Sequence, residues 1–246
     1  MAKRSSVRLS TAGATDVGQL RYGNEDALLV REFGDRTLLC VADGLGGHAS
    51  GDWASARALE VFSEALESAL AEDEPEPALR TAAASANAAI HREGPERGSA
   101  GAATTLVVAL VRGREVLWLN VGDSRLYVLS AGILRQVSDD HSLVAEHVRA
   151  GLLPESALRT HPQRNIVSRT IGFEPEVEPG TGSFTLADDE TLLLCSDGLF
   201  GAVVEEELAP VVAGADLEAA VRELIDMANA AGGPDNVTVV LGRLAS

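Results

Sequence analysis

Five aspartates share one local setting in this sequence: each lies at or beside the end of an apolar stretch, with glycine close by in most cases. They are Asp26, Asp43, Asp123, Asp197 and Asp235. Hard divalent cations such as Mg²⁺ and Mn²⁺ prefer oxygen ligands, chiefly carboxylates, carbonyls and water. Glycine beside a ligand lets backbone carbonyls and water approach without a Cβ in the way. The pattern therefore predicts a site for divalent cations at the ends of strands.

Such a site would suit the hydrolysis of a phosphate ester. Two divalent ions about 3.5–4 Å apart can activate a water that bridges them and stabilise an in-line displacement at phosphorus. A single aspartate before glycine is usually only a turn residue, but five at strand boundaries favour the metal site. From the residues alone, a phosphatase, a nuclease and a non-catalytic metal-binding protein all remain open.

Five short motifs contain these aspartates. In chain order they are R-x-x-N-E-D at 21–26, V-A-D-G-L-G-G-H at 41–48, V-G-D-S-R at 121–125, S-D-G at 196–198 and G-P-D-N-V-T at 233–238. Together, and in this order, they resemble the signatures of the metal-dependent protein serine/threonine phosphatases of the protein phosphatase 2C type. A further stretch, with D-H-S-L at 140–143 and H-P-Q-R-N at 161–165, resembles the stand-alone bacterial members.

The resemblance implies a ligand set for a pair of metal ions. Asp43 matches the ligand that bridges the two ions, and the carbonyl of Gly44 matches a further ligand. Asp197 and Asp235 match the other direct ligands of the pair. The expected ions are Mn²⁺ or Mg²⁺.

The resemblance also implies roles for residues around this core. Asp26 matches a ligand that acts through water, with Glu25 beside it. Asp123, together with Asp197, matches the acids around a third and weaker ion of bacterial members. Arg21 matches the residue that holds the substrate phosphate, a role for which the planar guanidinium fork is suited.

The implied reaction is hydrolysis of phosphoserine or phosphothreonine by a metal-bridging water, without a covalent phosphoenzyme. The leaving oxygen then needs a proton. Some family members have a histidine two residues after the bridging aspartate, where this chain has Leu45, with His48 three residues further on. His48 or a metal-bound water is therefore the expected donor. Replacing His48 with alanine should lower turnover far less than replacing Asp43.

The sequence around these residues predicts strands and a few helices that would hold them. Short β-branched or leucine-rich runs predict strands at 27–33, 37–42, 104–111, 115–120, 126–129, 191–195 and 236–242. The connection at 112–114 is so short that its two strands must be antiparallel. Apolar residues three and four apart predict helices at about 50–71, at about 76–91, and after Asp216 as N-cap, with Gly232 as terminator.

These elements predict an α+β fold. The resemblance implies its layers: two packed antiparallel β-sheets flanked by α-helices, an α-β-β-α sandwich, with a flap near the active site. One catalytic domain is expected over residues 1–246. The flap is placed at roughly 149–182, within a stretch from Asp140 that reads as helical at first and then irregular.

Composition limits the partners. The 37 acidic and 20 basic residues give a net charge of −17, which argues against binding to nucleic acid or to anionic membranes. No apolar run is long enough to span a bilayer and no signal peptide is visible, so a cytoplasmic protein is expected. It is also expected to be a monomer. Cys40 and Cys195 lie in apolar runs and are expected to be buried thiols.

The leading hypothesis is an active phosphoprotein phosphatase that reverses bacterial serine/threonine kinase signalling, with kinases or kinase substrates as partners. One alternative is a catalytically inactive relative that binds phosphoproteins, although such a protein usually lacks ligands that this chain retains. Others are a nuclease, which the acidic balance disfavours, and a small-molecule phosphatase. G-L-G-G-H-A at 44–49 also fits a dinucleotide fingerprint, but Asp43 would repel a pyrophosphate and the following strands read as antiparallel.

Overall fold

The computed structural model describes residues 8–45, 50–71 and 74–245. Within these ranges the strands are β1 (Leu9–Asp16), β2 (Asp26–Phe33), β3 (Arg36–Leu45), β4 (Ala103–Thr104), β5 (Leu106–Arg112), β6 (Glu115–Val121), β7 (Arg125–Ser130), β8 (Ile133–Gln136), β9 (Gly180–Thr185), β10 (Thr191–Cys195) and β11 (Val237–Leu244). The helices are α1 (Gly51–Ala69), α2 (Pro75–Glu96), α3 (Leu143–Arg149), α4 (Ala157–Thr160), α5 (Asp197–Phe200), α6 (Glu205–Val212) and α7 (Leu217–Ala230).

The strands form two antiparallel sheets. One has the order β1-β11-β10-β7-β8 and the other the order β2-β3-β5-β6-β9. The hairpin between β5 and β6 is antiparallel, as its short connection requires. The short β4 pairs with the end of β3, at Gly44 and Leu45.

The centre of the core lies between the two sheets. Because side chains alternate along a strand, Leu39 and Val41 of β3 face the opposite sheet, where they pack in one buried cluster with Val240 of β11. Leu38 and Cys40 point the other way, into a second buried cluster. Both faces of this strand are therefore buried, which explains its nearly continuous apolar sequence.

Helices cover the outer face of each sheet. The cluster that contains Leu38 continues into α1 through Phe62 and into α2 through Leu79. On the other side, Leu193 of β10 packs in a third cluster with Leu224 of α7. The layers are thus helices, sheet, sheet and helices, and the predicted α-β-β-α sandwich is confirmed.

The predicted strands and helices are all present, with most ends shifted by only a few residues. The predicted strand at 104–111 is broken at Thr105, whose N–H donates to the carbonyl of Asp43 at 2.8 Å. Asp216 caps α7 by accepting from the backbone N–H of Ala219, and Gly232 has a φ of 112° after its end. The sequence analysis did not predict β1, β8 or β9.

Residues 149–182, the predicted flap, run from the end of α3 into β9. They contain α4 and otherwise irregular chain. Residues 180–182 belong to β9 and pair with β6. The irregular stretch therefore ends three residues before the predicted limit.

Both cysteines are free and buried, as predicted. Burial raises the pKa of each thiol well above its ordinary value, so neither is a ready nucleophile. Among the described helices, none combines the length and the apolar character that crossing a bilayer requires.

Candidate metal and phosphate site

The strand register brings the first two predicted acids together. β2 and β3 pair so that Asp26 lies directly opposite Asp43. The turn between β6 and β7 carries Asp123, while Asp197 begins α5 directly after β10 and Asp235 lies two residues before β11. Strand ends of both sheets therefore supply the carboxylates.

These positions meet at a cavity of about 220 Å³. The predicted site residues that line it are Arg21, Glu25, Asp43, Gly44, Asp123, Asp197 and Asp235. Asp26 is not part of the lining, but it is buried and is the cross-strand partner of Asp43. His48 lies outside the described residues, so its predicted role is not addressed by the structure.

The carboxylates interact strongly with one another. Burial, followed by the charges of Asp26 and Asp197, raises the pKa of Asp43 well above its usual range. Burial and the charge of Asp235 raise the pKa of Asp197 to about 6. Burial raises the pKa of Asp26 to about 7, although a hydrogen bond from Ser196 opposes the shift. The cluster therefore holds negative charge at a cost that a cation would relieve.

The donor atoms also suit a hard cation. Asp26 Oδ1 and Asp197 Oδ1 are buried and accept no hydrogen bond from the described part of the chain. In the same ranges, no group of three or more Asp, Glu, His or Cys side chains converges closely enough to hold an ion as the side chains stand. Charge, burial and oxygen donors nevertheless fit Mg²⁺ or Mn²⁺.

Gly44 is required by the packing around it. A Cβ at this position would collide with the carbonyl of Gly51 and would lie 2.7 Å from the carbonyl of Glu25. The Gly44 N–H donates to that same Glu25 carbonyl at 3.1 Å. The backbone next to Asp43 can therefore lie against the start of α1 only if the residue is glycine.

Arg21 lies at the rim of the cavity. Its Nη2 donates to Asp235 Oδ2 at 2.7 Å, and its side chain is 49% exposed. Because a guanidinium has five N–H donors, a group that engages one acceptor keeps donors for a phosphate. The predicted clamp and a predicted ligand are thus adjacent.

Asn236 holds the loop that carries Arg21. Its Nδ2 donates to the carbonyls of Val17 at 2.9 Å and Gly23 at 3.0 Å. Its Oδ1 accepts from the N–H of Glu25 at 2.8 Å. One buried amide thus fixes residues 17–25. The sequence analysis gave Asn236 no role, although its place beside Asp235 in the last motif was a signal.

Hydroxyl groups hold two of the acids in place through hydrogen bonds. The sequence analysis gave these hydroxyl groups no role. Thr105 Oγ1 accepts from the N–H of Asp43 at 2.9 Å and lies 2.6 Å from Ser124 Oγ. Ser196 Oγ donates to Asp26 Oδ2 at 2.7 Å. The signal was their position beside the aspartates in the motifs or at the start of a strand.

His141 joins the loop of Asp123 to residues 149–182. The ring Nδ1 of His141 accepts from the backbone N–H of Gly122 at 3.2 Å. The backbone N–H of His141 donates to the Gly122 carbonyl at 2.9 Å. On its other side, its carbonyl accepts from the N–H of Ser168 at 2.8 Å. Burial lowers the pKa of His141 to about 4, so the ring is neutral and can accept.

Buried carboxylates around a small cavity, with a guanidinium at its rim, are typical of hydrolases that cleave phosphate esters with divalent cations. Comparison with known proteins agrees. A model of the family described as "Protein phosphatase 2C" matches residues 21–241. The chain belongs to this family.

Similar proteins include the serine/threonine phosphatase stp of Listeria monocytogenes, which is 39% identical over 234 residues, 92% of each chain. The structure of the serine/threonine phosphatase of S. agalactiae superimposes with a TM-score of 0.88 at 32% identity, over 97% of this chain and 100% of that one. The catalytic domain of the phosphatase PstP, solved with two manganese ions, has a TM-score of 0.83 at 31% identity, covering 97% and 99% of the two chains.

Proposed function

We propose that this protein is a phosphatase that hydrolyses phosphoserine and phosphothreonine in proteins with the help of Mn²⁺ or Mg²⁺. The observation that carries the proposal is the cavity that joins Asp43, Asp197 and Asp235 to Arg21. The family match over residues 21–241 supports the activity. The manganese ions in the PstP structure support the choice of cation.

The proposed ligands of a pair of ions are Asp43, the Gly44 carbonyl, Asp197 and Asp235. Asp26 supports the pair from behind, with Glu25 next to it, and Asp123 with Asp197 would hold a third, weaker ion. When bound, divalent cations supply positive charge to the phosphate and lower the pKa of water. The raised pKa values of Asp43 and Asp197 support their role as ligands.

The chain's own groups bind and orient the substrate. Arg21 donates to the phosphoryl oxygens, where charge develops during the displacement. Asn236 keeps the loop of Arg21 in register with the carboxylates through its three hydrogen bonds. The proton for the leaving oxygen comes from His48 or from water in the cavity.

The further parts of the proposal concern the whole protein. Residues 1–246 form one catalytic domain, and residues 149–182 act as a flap beside the cavity. The partners are phosphorylated proteins, among them bacterial serine/threonine kinases or the substrates of those kinases. The protein acts as a monomer in the cytoplasm, where such kinases find ATP.

The test is phosphate release from p-nitrophenyl phosphate and from a phosphothreonine peptide, with Mn²⁺, with Mg²⁺ and with a chelator. The Asp43→Asn variant should lose at least about 100-fold in kcat with both substrates, because it removes the charge at the centre of the site. Asp188→Asn is the control, since that aspartate is exposed and pairs with Arg114.

Metal-dependent turnover of both substrates that Asp43→Asn abolishes and Asp188→Asn retains would support the proposal. Turnover of p-nitrophenyl phosphate alone would instead indicate a small-molecule phosphatase. No turnover by a folded protein, with any of these metals, would indicate an inactive relative that binds phosphoproteins.

A further inference from the structure

Most of the large exposed apolar side chains lie on two segments of the chain. In the described ranges six large apolar side chains are exposed: Leu20, Tyr22, Ile133, Leu152, Ile166 and Phe173. All except Ile133 lie in the Arg21 loop or in residues 149–182. Isolated exposed apolar residues are normal on a protein surface. Both segments also contribute residues to the metal cavity, among them Arg21 and Val167, so the exposed apolar side chains on these segments indicate a contact surface.

A cleft of about 520 Å³ lies on the flap side of the metal cavity. Leu45 and Val167 line both spaces, so the cleft and the cavity share a wall. Phe173 and Val177 continue the apolar lining of the cleft, and Phe173 is 60% exposed. A chain that leaves the metal cavity in this direction would pass over Phe173.

The cleft also carries negative charge. Three glutamates line it: Glu174, Glu176 and Glu178. All three are exposed. Arg169 is the one basic residue in the described lining, and its Nη1 donates to the backbone carbonyl of Glu178 at 3.2 Å. The cleft therefore combines apolar contact with an excess of carboxylates.

The turn that presents Phe173 is held rigidly from below. Asn87 of α2 is 1% exposed, and its Nδ2 donates to the carbonyls of Glu174 at 3.0 Å and Pro175 at 3.1 Å. Its Oδ1 accepts from the N–H of Gly172 at 2.7 Å. A buried amide with three backbone partners thus fixes an exposed phenylalanine, which lowers the entropy lost when a ligand binds there.

Gly172 allows this turn to approach α2. Its φ is 98°, a conformation that favours glycine, and a Cβ would collide with Ile90 of α2. Directly before it, Ile171 exchanges two backbone hydrogen bonds with Thr104, of 2.8 and 3.0 Å. The Phe173 turn is therefore part of the rigid framework that also carries Asp43.

We propose that this cleft binds the polypeptide of the phosphoprotein substrate next to the phosphorylated residue. Its lining selects a large apolar side chain followed or preceded by lysine or arginine. The apolar side chain packs on Phe173 and Val177, and the basic one faces Glu174 and Glu176. The inference rests on the proposed phosphatase function, because the cavity that shares its wall must hold the phosphate.

The test compares phosphothreonine peptides that differ only within three residues of the phosphothreonine. One carries a Leu-Arg pair, one Ser-Arg and one Leu-Glu, and p-nitrophenyl phosphate serves as a substrate too small to reach the cleft. We expect the Leu-Arg peptide to have a kcat/KM about 10-fold higher than the other two peptides, through KM.

Two variants and two controls locate the effect. Phe173→Ser should remove the preference for leucine, and Glu176→Lys should reverse the preference for arginine over glutamate, both with p-nitrophenyl phosphate turnover unchanged. Ile133→Ser changes a similarly exposed apolar residue on β8, and Glu223→Lys an exposed glutamate on α7. Neither control should alter the preference.

Equal turnover of the three peptides by the unaltered protein would overturn the inference. So would a loss in Phe173→Ser that affects p-nitrophenyl phosphate and the peptides alike, or a change of preference in the controls. The proposed phosphatase function fails separately, by loss of metal-dependent turnover of every substrate in the unaltered protein. Because Glu176→Lys tests the charge independently, the inference remains testable if Phe173→Ser does not fold.

Discussion

Four acids of the candidate site, Asp26, Asp43, Asp123 and Asp197, have raised pKa values, which shows that their charged forms are unfavourable in the fold. Asp26 and Asp123 are only 8% exposed, and burial is the main cause of the raised pKa of each. A buried carboxylate without a positive partner destabilises the folded state. A bound divalent cation would remove that cost, so stability and function are opposed here until the metal binds.

The buried acids predict that the stability of the metal-free protein decreases as the pH rises. Asp26 has its pKa raised from 3.8 to about 7, so the folded state keeps a proton that the unfolded state releases. Stability should then fall as pH rises from about 4 through about 7. We expect the Tm in chelator to be higher at about pH 5 than at about pH 8, and the difference to shrink with Mn²⁺. A Tm in chelator that rises from about pH 5 to about pH 8 would contradict the raised pKa of Asp26.

Arg21 gives a second prediction at this scale. Arg21→Ala should lower kcat/KM for a phosphopeptide by about 10- to 100-fold, or about 1.4 to 2.7 kcal/mol of transition-state stabilisation, because a phosphate loses its guanidinium donors. Arg21→Lys should recover only part, since the ammonium lacks the planar fork. Steady-state kinetics measures both.

The control for Arg21 is Arg112→Ala. Arg112 is also exposed and also donates to an aspartate, Asp35, at 2.7 Å, but it lies at the far end of β5. Equal losses in the two alanine variants would show that Arg21 acts through general surface charge and not through the phosphate.

At the scale of elements, the site depends on where strands end. Asp43 can lie opposite Asp26 because β2 and β3 are paired in one fixed register, and a slip of one residue would turn every side chain to the other face. Loops then complete the site, and each is fixed by a side chain from elsewhere. Asn236 fixes the Arg21 loop, and His141 fixes the turn that carries Asp123.

His141 supplies the prediction at this scale. His141→Leu removes the acceptor for the Gly122 N–H and should lower kcat/KM by about 10- to 100-fold, as loss of a residue that orients a metal ligand does. It should also raise the Mn²⁺ concentration for half-maximal turnover. His141→Asn, whose Oδ1 can replace Nδ1, should lose less on both counts. If both variants lower the Tm by the same amount and leave kcat/KM and the Mn²⁺ requirement unchanged, His141 supports the fold and not the site.

Across the described residues, three buried apolar clusters hold the layers together, one between the sheets and one under the helices on each side. Leu38 and Leu39 are adjacent in β3, yet they belong to different clusters and both are fully buried. The sandwich therefore depends equally on both faces of a single strand.

Leu38→Ala and Leu39→Ala should each lower the free energy of unfolding by about 2–5 kcal/mol, because each leaves a cavity in a packed layer. Ile133→Ala, on the exposed edge strand β8, should change it by no more than about 0.5 kcal/mol. Urea denaturation measures all three. A small effect at either leucine would mean that its layer is not packed as described.

Strong local patterns were sufficient to predict the interior elements. Thr191–Cys195 is a strand at the predicted ends because every residue in it is buried and apolar or β-branched. The missed strands lack this signal. Gly180–Thr185 contains two glycines, and it is a strand because it pairs with β6, where a Cβ at Gly182 would lie 2.8 Å from the Trp118 indole. Partner contacts of this kind leave no local pattern.

The sequence by itself determined the kinds of donor, their order and the α+β class of the fold, because residue type and short-range spacing depend only on neighbours in the chain, whereas the layers were implied by the family resemblance. Tertiary structure decided which residues meet. Asn236 reaches Glu25 across 211 positions, and Asn87 fixes Gly172 across 85. Such contacts depend on the packing of distant elements. They make one cavity out of separate motifs and place a rigid, acidic, apolar cleft beside it.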